Sequence, residues 1–113
     1  MLTLGSGAKV FLVAGVTDMR KSFDTLAAVV RDVIRDDPLS GHLFVFCNRR
    51  RDRLKVLVWE ESGFWLLAKR LERGTFVWPG PSLGRVEYST AELAAMLAGL
   101  ELSGHRRKRY RRR

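Results

Sequence analysis

His42-Leu43-Phe44-Val45-Phe46-Cys47-Asn48 is the strongest strand signal in the chain. It is rich in β-branched and aromatic residues and contains no glycine or proline. Both of its alternating sets are apolar: Leu43, Val45 and Cys47 on one side, Phe44 and Phe46 on the other. A strand of that kind is covered on two faces and lies inside a sheet. Arg49 to Asp52 then form a tight charged connection, and Leu54 to Trp59 form a second strand. The pair predicts an antiparallel hairpin with a basic tip.

Upstream, Leu39-Ser40-Gly41 reads as a turn, and Asp36-Asp37-Pro38 as the end of a helix. Met19, Phe23, Leu26, Ala27, Val30, Val33 and Ile34 recur at helical spacing, so a long helix is expected over Met19 to Arg35, with Asp18 as its N-cap. Lys9 to Ala14 is a further strand, ended by Gly15. Downstream, Glu60-Glu61-Ser62-Gly63 is a turn. Phe64 to Glu72 fits both a helical stripe and a strand alternation; its aromatic content and flanking turns favour a third strand of a meander. Thr75 to Trp78 is expected to be a short strand, Pro79 to Gly84 a loop, and Arg85 to Tyr88 an edge strand. Ser89 and Glu92 form a capping box for a short C-terminal helix over about Thr90 to Ala98, with Gly99 as its cap.

The 113 residues suit one domain, and 46% of them are hydrophobic, which is ordinary for a globular chain. No apolar run is long enough to span a bilayer, and Met1 to Val13 does not read as a secretory signal. The single cysteine, Cys47, reads as a core thiol in a reducing cytoplasm. The formal charge is +9, from 21 basic and 12 acidic residues. The block His105 to Arg113 holds seven of those bases and no acid, so the body carries 14 bases against 12 acids. Such a block repels itself, which marks residues 105–113 as a disordered basic arm and residues 1–104 as the folded domain.

Polyanions are the partner this charge pattern fits, because each neutralised phosphate releases a condensed counterion. In the arm, Arg106, Arg107, Lys108, Arg109, Arg111, Arg112 and Arg113 can grip phosphates, and Tyr110 can stack on a base. Arg49, Arg50 and Arg51 at the hairpin tip, with Arg53 and Lys55 beyond Asp52, form a second cluster. Lys69, Arg70 and Arg73 are a third, for which a solvated face is the plainer reading. Trp59, Trp65, Trp78, Phe64 and Phe76 are expected in the core and not on a base-stacking surface. No set of acids is singled out for two-metal catalysis, and two histidines with one cysteine cannot complete a usual zinc site. Phosphate-loop, dinucleotide and nucleophile-elbow motifs are absent. The sequence therefore suggests no catalytic residue, metal or cofactor.

Several stretches carry a resemblance. Val16-Thr17-Asp18-Met19-Arg20-Lys21-Ser22-Phe23-Asp24 is followed by Ser40-Gly41-His42-Leu43-Phe44-Val45-Phe46-Cys47-Asn48-Arg49-Arg50, then Asp52-Arg53-Leu54-Lys55, Trp59, Gly63-Phe64, Lys69-Arg70-Leu71-Glu72, Gly74, Phe76 and Trp78-Pro79. This ordered string resembles the TnpB accessory proteins of the bacterial insertion-sequence family sixty-six over about Val10 to Leu100. The resemblance implies a role beside TnpA and a DDE-type transposase that cuts and joins the DNA, with no catalytic residues of its own to carry over. It draws attention to the polar motif residues Asp18, Arg20, Lys21, Asn48 and Asp52, together with Arg49, Arg50, Arg53, Lys69 and Arg70. Ser22 departs from the family's usual glycine, and the basic arm lies beyond its motifs.

The expected architecture is thus α+β: an antiparallel sheet of four to five strands, one long helix packed on a face, and a short C-terminal helix. The expected function is a non-catalytic, cytoplasmic accessory factor that binds DNA, with element ends as the expected target. The alternative is an adaptor that docks on the transposase or its partner and touches DNA weakly. Neither reading involves a membrane.

Overall fold

The computed structural model describes residues 7–98. In chain order it runs β1 (Val10–Val13), α1 (Phe23–Asp32), β2 (Leu43–Cys47), β3 (Arg53–Glu60), β4 (Gly63–Arg70), a 3-10 turn (Pro81–Leu83), β5 (Arg85–Tyr88) and α2 (Thr90–Leu97). The strands form one sheet in the order β4-β3-β2-β1-β5. β2 is the central strand, and all five of its residues are buried. Its two apolar faces feed two cores. Phe44 and Phe46 join Phe11, Val13, Leu57 and the α1 residues Leu26, Ala27 and Val30. Val45 and Cys47 join Val10, Leu12, Leu54, Val56, Phe76, Trp78 and the α2 residues Leu93 and Met96. Burial pushes the Cys47 thiol up to about 11, so it stays protonated and inert at neutral pH.

The sheet is mixed, not purely antiparallel. β1 and β2 run parallel, with Phe11 beside Phe44, while the pairs β1–β5, β2–β3 and β3–β4 are antiparallel. The cause is connectivity: α1 carries the chain from β1 to β2 across one face, and only a crossover of that length can bring a strand back parallel.

Among the described residues no long helix is present, since α1 has ten residues. Asp18 is not its cap. The Asp18 carboxylate instead accepts from the Arg20 backbone N–H at 2.9 Å and from the Arg20 guanidinium at 2.7 Å, and Lys21 N–H closes a turn on Asp18 O at 3.1 Å. These local bonds compete with helix formation and delay it to Phe23. The N-cap is Ser22, whose N–H donates to Thr25 Oγ1 at 2.8 Å. Serine and glycine are both good N-caps, which explains why either residue suits this position. At the other end the Ile34 N–H reaches Val29 O, and Arg35 turns the chain with φ of 58°. Arg85 then lies over the Phe11 ring at 4.3 Å and pairs with Asp36, sealing that corner.

Phe64 to Arg70 lies in β4, as the alternation favoured. Thr75 to Trp78 is not a strand. Its Phe76 N–H bonds to Arg51 O, and its Trp78 indole donates to Val13 O at 3.1 Å, so two buried aromatics anchor it where a ladder would. Trp65 is exposed, contrary to the core expectation, while Phe76 and Trp78 are buried and Phe64 packs against the α1-side core. The capping box is present: Ser89 N–H donates to Glu92 Oε1 at 2.8 Å and Glu92 N–H to Ser89 Oγ at 3.0 Å. Gly99 and the arm at 105–113 lie outside the described residues. Among the described residues no helix is long and apolar enough to cross a membrane.

Candidate nucleic-acid interface

The C-terminal end of β2 is where the polar motif residues gather. The chain leaves β2 through Asn48, and Asn48 organises the turn that follows. Its side-chain oxygen accepts from the N–H groups of Asp52 and Arg53, both at 3.1 Å, and its amide donates to Asp52 Oδ1 at 2.8 Å. Its backbone carbonyl accepts from Arg51 N–H at 3.2 Å. That tight closure puts Arg51 in the left-handed region, with φ of 61°. The Asp52 carboxyl is held below its ordinary range by the Asn48 amide, and further by the positive field of Arg50 and Arg53. The turn is also stitched from behind: Leu71 N–H bonds to Asp52 O at 2.7 Å and Phe76 N–H to Arg51 O at 2.6 Å. Arg49, Arg50 and Arg51 are therefore exposed on a fixed backbone.

β3 and β4 extend this cluster along the sheet. Their register sets Arg53 directly opposite Arg70 and Leu54 opposite Lys69. Because paired residues share a face, Arg53, Lys55 and Arg70 lie on the α1 side, and Lys69 on the other side. Arg70 is joined to Glu72 at 3.0 Å. Arg49, Arg50, Arg51, Arg53 and Lys69 form no salt bridge among the described residues.

Lys55 has a different task from the one its sequence suggested. Its ammonium donates to the carbonyls of Met19 and Lys21, both at 2.8 Å. It thereby clamps the loop that precedes α1 against β3, and Thr17 N–H fastens the same loop to Cys47 O at 2.8 Å. Asp18 and Arg20 complete that loop as a forked ion pair, and the Arg20 guanidinium holds the Asp18 carboxyl down at about 2.

Between this loop and the end of the β3–β4 pair lies an open groove of about 540 Å³. Arg53, Lys55, Lys69 and Arg70 line it, with Glu72 as the sole acid and Met19, Leu54 and Ala68 as apolar surface. A smaller hollow of about 140 Å³ adjoins it, bounded by Lys69 to Glu72 and by Leu97 and Ala98. Ala98, the last described residue, borders that hollow. The arm's own cations, Arg106 to Arg113, fall outside the described residues.

With Lys55 engaged in that clamp, Arg53, Lys69 and Arg70 are the cations of this concave surface whose N–H groups can donate to successive phosphate oxygens, and arginine forks suit them in particular. Sequence reasoning proposed Arg49, Arg50, Arg51, Arg53, Lys69 and Arg70 for phosphate contact, and the fold brings these six to one end of the sheet. It did not find the supporting part that Asn48, Leu71 and Phe76 play, nor the clamp made by Lys55. The Asn48-x-x-x-Asp52 spacing around an arginine run was the available signal for the first, since asparagine side chains commonly close turns. Among the described residues no group of three or more His, Cys, Asp or Glu side chains could hold a metal ion.

The model of the family described as IS66 Orf2 like protein matches residues 8–107. The chain is 42% identical over 101 residues to uncharacterized protein y4hO of Sinorhizobium fredii (strain NBRC 101917 / NGR234), spanning 89% of this chain and 88% of that one. It is 32% identical over 112 residues to uncharacterized protein y4jC of the same strain, spanning 99% and 96% of the two chains. No solved structure matches.

Proposed function

The chain belongs to the IS66 Orf2-like family of transposition-associated accessory proteins, and from that premise we propose that it serves insertion-sequence transposition by holding DNA against the basic end of its sheet. One observation carries the reading. Arg53 faces Arg70 directly across β3–β4, beside Lys69 and below the Arg49–Arg51 turn. Like charges set opposite one another in a sheet cost stability. A polyanion relieves that cost, and a rigid turn presents its arginines without further ordering. Ala98 borders the hollow that adjoins the groove, and the first arm cation, Arg106, follows eight residues later in the sequence, within at most about 30 Å of chain. Groove, turn and arm therefore serve one stretch of phosphate backbone.

The protein's task is to position DNA for a partner that cuts it. The transposase and TnpA of the same element are the proposed partners. Phosphate contacts fix register and orientation but do not read sequence. Titration of the purified full chain with terminal-repeat duplex and with scrambled duplex of equal length tests the reading. Binding to both, weakened steeply by salt, is the expected result. Absence of binding to either at low ionic strength, alone and beside the transposase, would leave the adaptor reading in its place.

A further inference from the structure

The sheet has two border strands, and they are built differently. β5 is four residues long and alternates Arg85 and Glu87 with Val86 and Tyr88. Short length and charge are the usual devices that keep an edge from pairing with another chain. β4 is eight residues long, and among the described residues its only strand partner is β3. Trp65 and Leu67 are 41% and 43% exposed on one face of it, and no charge interrupts the run from Gly63 to Ala68. A long apolar border strand is a template for another strand.

Charge indicates which strand. β4 is entered from Glu60 and Glu61 and ends on Lys69 and Arg70. Laid antiparallel to itself, such a strand brings the acidic start of each copy to the basic finish of the other. We propose that the chain forms a twofold dimer by antiparallel pairing of β4 with β4 of a second copy, extending the two sheets into one. Side chains alternate between faces, so paired positions must share a face. Centring the axis on Leu66 meets this condition. It sets Trp65 against the second copy's Leu67, twice over, and Gly63 against Lys69, with Glu61 diagonal to Lys69 and within reach of long side chains. Centring on Leu67 sets Trp65 against Lys69 and covers less apolar surface. The contact is isologous and closes at two copies.

The dimer stands independently of the DNA reading. Its consequence rests on that reading: antiparallel pairing sends the two basic ends to opposite extremities, so the dimer bridges two DNA segments and does not clamp one. Sedimentation equilibrium on nucleic-acid-free full chain, over a wide concentration range, tests the dimer. The wild type populates a dimer as concentration rises. Leu67→Lys raises the dimer Kd by more than about tenfold with the far-ultraviolet circular dichroism unchanged. Glu61→Lys weakens the dimer, and adding Lys69→Glu to it restores pairing, which a contact elsewhere on the surface would not do. A wild type that stays monomeric throughout, or a dimer indifferent to both Leu67→Lys and Glu61→Lys, overturns the proposal. DNA affinity measured on the same Leu67→Lys protein keeps the two readings apart, because a lone copy retains its basic end.

Discussion

The two turns of the β2–β3–β4 meander share a backbone device and differ in almost everything else. Each places a non-glycine residue in the left-handed region, Arg51 at φ of 61° and Glu61 at φ of 55°. The first turn carries Arg49, Arg50 and Arg51, and the second carries Glu60 and Glu61. They sit at opposite ends of β3, so charge is segregated along the strand direction. Their fastening differs as well. The basic turn is gathered by the Asn48 side chain and tied to the 71–76 segment through Leu71 and Phe76. At the acidic turn the Trp65 indole donates to Glu60 at 2.7 Å. Fastening of the self-repelling basic turn fits the proposed phosphate contact, since solubility alone would be served equally by a loose loop.

The largest contrast is expected in DNA affinity. Reversing Arg49, Arg50 and Arg53 together to glutamate should weaken duplex binding on the order of 100-fold or more and lower the salt slope by about 3, measured by fluorescence anisotropy. Glu61→Gln at the other turn should leave affinity within about twofold, because no phosphate contact is removed there. Equal losses from the two ends would erase the distinction between them.

Stability separates the turns next. Asn48→Ala removes three side-chain hydrogen bonds at a part-buried site and is expected to cost about 2 to 3 kcal/mol in denaturant unfolding. Ser62→Ala in the acidic turn is expected to stay within about 0.5 kcal/mol. A smaller effect has an informative sign. Arg53→Glu replaces a like-charge pair with an ion pair opposite Arg70, and should stabilise the fold by a few tenths to about 1 kcal/mol while reducing DNA affinity. Stability and binding moving in opposite directions would be the mark of a residue kept for its ligand. The smallest effect tests what the turns share. Arg51→Gly and Glu61→Gly should each relieve left-handed strain and gain up to about 1 kcal/mol. Of the two, only Arg51→Gly should also lower the salt slope.

Much of this was legible before the structure. β2 announces itself because both of its faces are apolar, and the hairpin follows from the charged gap before Leu54. Ser89 and Glu92 mark α2 by the reciprocity of their bonds. The parallel pairing of β1 with β2 was missed, although a helix lying between two strands is its physical signature. The start of α1 was misplaced because Asp18 satisfies a turn as well as it satisfies a cap, and composition does not separate the two. Thr75 to Trp78 has strand residues without strand bonds, since its aromatics are buried by side chain alone. The cations of the hairpin were visible in sequence, but their convergence with Lys69 and Arg70 depended on the β3–β4 register. Lys55 could not be told from its neighbours, because its partners are carbonyls more than thirty residues away.

The most direct test is the salt dependence of duplex binding by the full chain, measured beside a version lacking residues 105–113 and beside that shortened version carrying Arg49→Glu and Arg53→Glu. The account predicts a steep linear fall of log affinity with log salt for the full chain. It predicts a shallower but still negative slope without the arm, because the basic end remains, and a slope lower again by about 2 once both arginines are reversed. A shortened protein that already shows no affinity at low ionic strength would contradict it, since the folded basic end would then hold no phosphate of its own.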